Sequence, residues 1–391
     1  MKRISFFLLL GLSTFTFATK EPHTKYIMRD VFNSFRQLVP YMSSEMKFRD
    51  PKNETEVMSA LVSLDAAFLN AHKNKKLTSY GYKPTLEVIR EHIGDTKNAF
   101  MGHHKIFAFN RLKSTTSLCI SCHSQLSSKG KGTFNSLLYR YDEKSFDSTY
   151  DFATFLLVTR NYEASLKQFE KCIDEEIVKF KKMRELDPKI NMTPKLLINS
   201  LKKIVIIYTK ILGQPEKLTI ALKKYQSQNG LSRFVKSDIE DWIAQIGDLK
   251  KEGIVGKTFD TKKQINSLLH GYLAKRGKAQ DVRMTGELDL GILVASGHLL
   301  RYLDGHSRAP EAPEMLYWIS MGERQLSRNY FYDLSELYLK ECIEKFPKTS
   351  FGKKCFKEYE ETMIFGFTGS RGTDIPPAEQ KELDRLKALV K

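Results

Sequence analysis

The chain has 391 residues, a formal net charge of +17 and a pI near 9.4, and its length allows two domains of ordinary size. A basic excess of this size first suggests a nucleic-acid partner. The N-terminus argues against one, because it carries the marks of export.

Lys2 and Arg3 form a positive head, Ile4 to Leu12 a short apolar stretch, and Thr16-Phe17-Ala18 leaves small residues at the cleavage positions. This pattern predicts a signal peptide over residues 1–18, cleaved after Ala18 and too short for a comfortable membrane span. No later apolar run reaches spanning length; Leu201 to Leu212 is interrupted by lysines and reads as a buried helix. No transmembrane span is therefore expected in the mature chain.

Residues 19–130 read as four helices without a strand pattern. The first, about Tyr26 to Phe48, places Met28, Val31, Phe32, Phe35, Leu38, Val39, Met42 and Met46 on one apolar face, with Pro40 expected to kink it. The second runs from about Glu54 to Ala71, with Asn53 as a cap. The third carries Leu86, Ile89, Ile93, Phe100, Phe107 and Leu112 inward. Ser114-Thr115-Thr116-Ser117 then reads as a turn and N-cap, and a fourth helix follows. Short connections make successive helices antiparallel neighbours, an up-down-up-down bundle.

The fourth helix carries Cys119-Ile120-Ser121-Cys122-His123. Cys-x-x-Cys-His is the attachment signature of a c-type haem. Two thiols on one helical turn reach two vinyl groups of one porphyrin edge, and the next residue offers an imidazole to the iron. A redox Cys-x-x-Cys would want a thioredoxin-like alternation of strands and helices, which the sequence lacks. A zinc site would want a second ligand pair at finger spacing, and Cys172, Cys342 and Cys355 are too distant to supply it. The expected cofactor is one covalent haem c with its iron: thioethers at Cys119 and Cys122, and His123 as proximal ligand.

Four helices with this motif on the last resemble the cytochrome c-prime family. The resemblance covers about the first third of the mature chain. Members often place a basic residue soon after the haem histidine, whereas Ser124-Gln125-Leu126-Ser127 follows here. Some c-prime-like cytochromes use a methionine early in the first helix as sixth ligand, which implies Met28 as a distal candidate. A turn near Ser114 would bring His104, or its neighbour His103, opposite His123 as the rival. An open distal side lined by Phe35, as in five-coordinate gas-binding members, is the third arrangement.

A linker over 131–147 leads to residues 148–368, which keep helical periodicity with clean breaks. Helix pairs flank Arg160-Asn161, Gly213-Gln214-Pro215 and Phe346-Pro347-Lys348-Thr349-Ser350. These pairs resemble tetratricopeptide-type units, whose period is about 34 residues. The resemblance implies a solenoid with a concave face for a protein partner. An irregular helical bundle is the alternative. Cys342 and Cys355 flank the last turn, so antiparallel helices there bring them together either as a structural disulfide or as two buried thiols. His270, His298 and His306 are scattered and read as core or surface histidines. Gly366 to Gly372 lacks the lysine and preceding strand of a phosphate loop and reads as a surface loop; residues 369–391 form a loop and an amphipathic tail helix.

The whole reads as all-α: a four-helix haem bundle followed by a tetratricopeptide-like α-solenoid. The expected function is one-electron transfer in the periplasm, with the repeats docking a redox partner. The alternatives are a haem-based small-gas sensor and a structural adaptor. Lysine runs such as Lys202-Lys203, Lys223-Lys224 and Lys250-Lys251 read mostly as solvated faces. Their sharper reading is electrostatic steering toward an acidic or membrane-bound partner.

Overall fold

The computed structural model describes residues 24–42, 44–75, 77–78, 82–123, 143–187, 189–190, 193–228, 231–276, 288–306, 308–327, 334–370 and 372–391. The expected signal segment 1–18 and residues 131–142 of the expected linker lie outside these. The described residues are all-α, apart from a two-stranded antiparallel ladder pairing Thr368 with Thr373 and Gly369 with Gly372.

The N-terminal part contains α1 (Thr24–Met42), the short α2 (Glu45–Arg49), α3 (Glu54–Ala71), α4 (Lys83–Met101) and α5 (Lys105–His123). α1 packs on α3, α3 on α4 and α4 on α5. Pro40 stays within α1 and the chain breaks after Met42, where the Ser44 hydroxyl accepts from the Lys47 amide and starts α2. Phe48 is fully buried and meets the edge of Phe100 at 5.1 Å and Phe109 at 5.5 Å, so α2 closes one end of the bundle. Asn53 does not cap α3 with its side chain; its Nδ2 donates instead to the Lys47 carbonyl at 2.9 Å.

The expected turn at Ser114-Ser117 is absent, and α5 runs through it. Ser114 and Thr115 donate their hydroxyls to the Arg111 carbonyl at 2.8 and 3.1 Å, and Thr116 donates to Lys113 at 2.7 Å. Satisfied by the preceding turn, these side chains no longer compete with the helix. The real break lies at Gly102-His103, where His103 takes a left-handed φ of 60°. Phe107, expected inward, is consequently exposed.

The rest of the chain is α6 (Thr149–Val158), α7 (Tyr162–Leu186), α8 (Lys195–Ile206), α9 (Pro215–Gln226), α10 (Arg233–Lys251), α11 (Lys262–Asn266), α12 (Ala274–Arg276), α13 (Leu290–Gly305), α14 (Ala312–Ser327), α15 (Ser335–Lys345), α16 (Ser350–Gly366) and α17 (Pro377–Val390). α8 continues into a π-helix, Ile207–Ile211, and a second π-helix, Ser267–Leu273, joins α11 to α12. Most of these neighbours in sequence are neighbours in space: α6 with α7, α7 with α8, α9 with α10, α13 with α14, α14 with α15, and α15 with α16. Cys342 and Cys355 are joined as a disulfide across the α15–α16 turn, with Cα atoms 6.4 Å apart. Leu383 and Leu386 bury the inner face of α17.

Two contacts hold the second part together from inside. A Cβ on Gly297 of α13 would stand 2.3 Å from the Lys210 carbonyl, so only glycine lets α13 approach the π turn this closely. That carbonyl accepts from Arg301 Nη1 at 2.9 Å, and the Lys210 ammonium pairs with Glu323 of α14, both side chains being fully buried. Lys203 is also buried, at 4 % exposure, so the Lys202-Lys203 run is not a solvated face throughout. Buried apolar side chains form one continuous core from Ile27 to Leu386, because α6 packs on α5 and α15 touches α4.

Candidate functional site

The last turns of α5 hold Cys119, Cys122 and His123. Cys119 and His123 stand four positions apart and share one helix face. Cys119 is partly buried and packs against the apolar core. Cys122 belongs to the same turn, and its side chain lies outside the described residues.

α6 runs beside α5, with Asp151 near Lys113 at 3.7 Å and its end near His123. The chemistry at that end follows from how α6 stops. Arg160 takes a left-handed φ of 64°, the Asn161 amide donates to the Leu156 carbonyl at 2.8 Å, and the Arg160 amide donates to Leu157 at 3.0 Å. This closure uses neither lone pair of the Val158 carbonyl. His123 Nδ1 lies 2.6 Å from that oxygen, and since a carbonyl only accepts, Nδ1 carries the proton. Nε2 therefore keeps its lone pair. Burial first, and the nearby Arg160 charge second, push the His123 pKa down to about 4, so the ring is neutral at ordinary pH. A neutral imidazole with one nitrogen fixed by a backbone carbonyl is the state that metal ligation requires. Cys119 and His123, on one face and with this tautomer, are donors of the kind a c-type haem uses.

A cavity of about 210 Å³ opens between α1, α5 and α6. Phe35, Val39 and Met42 line it from α1, Lys113, Thr116 and Ser117 from α5, and Phe155 from α6; Phe35 and Phe155 stack at 6.4 Å. Lys203 of α8 also lines it, and burial pushes its pKa down to about 7. The volume is below the roughly 300–1,000 Å³ of ordinary organic-ligand pockets.

Met28 is partly buried against the core near the start of α1. The cavity sets the later turns of α1 beside the middle of α5, so in an antiparallel pair Met28 and His123 fall toward the same end. His103 and His104 do not. Both are exposed in the α4–α5 turn, and His123 ends the 19-residue helix that begins just after His104, about 28 Å along the axis. Neither can be the second axial ligand of an iron held by His123 in this fold. A turn at Ser114 would have folded them back toward His123, but α5 runs straight through it.

The three histidines of the second part are separate. His270 Nε2 meets Glu314 at 3.0 Å, His306 stacks on Tyr302 at 4.1 Å, and His298 Nδ1 accepts from Arg301 at 3.1 Å. Among the described residues no three His, Cys, Asp or Glu side chains converge into a metal-ion cluster. Sequence reasoning missed Val158, Arg160 and Lys203. The first acts through its carbonyl, which any residue has. Arg160 was visible only as part of a turn, and Lys203 only as one of a lysine pair that reads as a solvated face.

Comparison of the chain with protein-family models, with curated proteins and with solved structures finds no match.

Proposed function

We propose that this protein is an exported monohaem c-type cytochrome of the periplasm that carries single electrons. One haem c would be bonded through Cys119 and Cys122, with His123 as proximal ligand and Met28 as the distal candidate. The observation that carries the reading is the hydrogen bond from His123 Nδ1 to the Val158 carbonyl, which fixes the imidazole with Nε2 bare. When bound, the haem supplies a one-electron iron couple whose potential follows the axial ligands and their hydrogen bonds. The protein's part is to orient His123 and to keep it neutral.

The finer architecture belongs to the same proposal: a c-prime-like bundle of α1, α3, α4 and α5, then helix pairs of tetratricopeptide type that dock a protein partner. Support comes from the consecutive pairing of α6 with α7, α13 with α14 and α15 with α16. No helix of the described residues is long and apolar enough to cross a membrane.

A second reading is a distal side open to a small gas; the cavity lined by Phe35 bears on it, meeting α5 at Lys113, Thr116 and Ser117, about two turns before His123. Optical spectra of the reduced protein with carbon monoxide separate the two. Electron transfer with methionine ligation predicts a methionine charge-transfer band in the oxidised protein and no rapid carbon monoxide adduct. Prompt formation of an adduct and absence of that band would replace it with the gas-binding reading.

A further inference from the structure

A second cavity, of about 530 Å³, lies far along the chain from the cysteine motif, between the loop after α10 and the π-helix Ser267–Leu273. Its floor is apolar: Ile254, Phe259 and Tyr272 are each buried to 6 % exposure or less. Its rim is cationic, with Lys257, Lys263, Lys275 and Arg276 against one carboxylate, Glu252. Arg276 is committed to Asp289 at 3.0 Å and to the Tyr272 hydroxyl at 2.6 Å. The three lysines have no carboxylate within ion-pair distance among the described residues, although they border one cavity. Lys257 is held over the left-handed Gly253, where a Cβ would come within 2.7 Å of its Nζ. The wall supplied by Ser267, Gly271 and Tyr272 is π-helical, a geometry that is rare and concentrates at functional sites.

Three like charges around one hollow repel one another, and an anion seated among them relieves that repulsion while gaining charge-assisted hydrogen bonds. The apolar floor asks for more than a bare ion. We infer that this cavity binds a small organic anion whose ring or chain rests on Ile254, Phe259 and Tyr272 and whose charged head meets Lys257, Lys263 and Lys275. The inference stands independently of the haem reading.

Calorimetric titration of the full-length mature protein tests it, with phenyl phosphate and inorganic phosphate as probes at low salt. The expected result is saturable one-to-one binding of phenyl phosphate, tighter than that of inorganic phosphate. A Lys257→Gln/Lys275→Gln variant should bind on the order of tenfold more weakly. A Lys217→Gln/Lys223→Gln variant removes the same charge from the exposed side of α9 and should bind as the parent does. Circular dichroism confirms that both variants keep their helices. No saturable binding, equal weakening in the α9 variant, or equal affinity for the two probes would overturn the proposal.

Discussion

At the scale of single residues, the second part of the chain takes charged groups into its core. Lys210 and Glu323 form an ion pair with no exposure on either side chain. Desolvating two charges costs about as much as their attraction returns, whereas removing one partner strands the other. Lys210→Met alone should therefore cost roughly 3–5 kcal/mol, while Lys210→Met with Glu323→Leu should restore or exceed the parental stability. Chemical denaturation of the two variants checks this, and equal loss in both would mean that the pair is net stabilising. His298 makes a pH prediction. Burial first, then the Arg301 guanidinium, hold its pKa down to about 3, and Phe259 covers the ring at 4.7 Å. The folded state then binds fewer protons than the unfolded state between about pH 3 and 6.5, so stability rises with pH across that window and falls on acidification. Asn at this position offers Oδ1 to Arg301 without titrating. His298→Asn should flatten the slope of unfolding free energy against pH in that window, and an unchanged slope would show that the titration lies elsewhere.

At the scale of elements, what was legible depended on whether a stop signal had one meaning. α3 was readable to its ends, Glu54 and Ala71, because acidic residues open it and a polar stretch closes it. The Arg160-Asn161 and Phe346-to-Ser350 turns were readable for similar reasons, and the disulfide site followed from the latter. The Ser114-to-Ser117 hydroxyls had two meanings, an N-cap or back-bonding within a helix, and only tertiary context selects the second. The true stop at Gly102 was in the sequence but was outweighed by that run. The π-helix Ile207–Ile211 had no signal, since α13 approaches it at Gly297 and Arg301 donates to its Lys210 carbonyl, contacts from residues far along the chain. The continuity of α5 is itself testable. Ser114→Pro places proline in a helix interior and should cost about 3 kcal/mol with loss of helical circular dichroism, whereas a turn at that position would tolerate it. Ser114→Ala should be nearly neutral by the same measurements.

At the scale of the whole molecule, the bundle and the helices that follow share one core. α6 joins them at the site, because it lies along α5, supplies Phe155 to the α1–α5 cavity and ends on the carbonyl that orients His123. The spacing of Cys119, Cys122 and His123 stands in the sequence itself. The carbonyl partner does not, because a hydrogen bond to Val158 spans 35 residues and leaves no trace in composition. The second part of the chain thus fixes the tautomer of His123 in the first. The measurement that tests the central claim most directly is the mass of the mature polypeptide after denaturation and extraction with acid acetone. The account predicts the polypeptide mass plus one haem, lost together when Cys119 and Cys122 are both replaced by serine. A mass equal to that of the amino acids alone would contradict it.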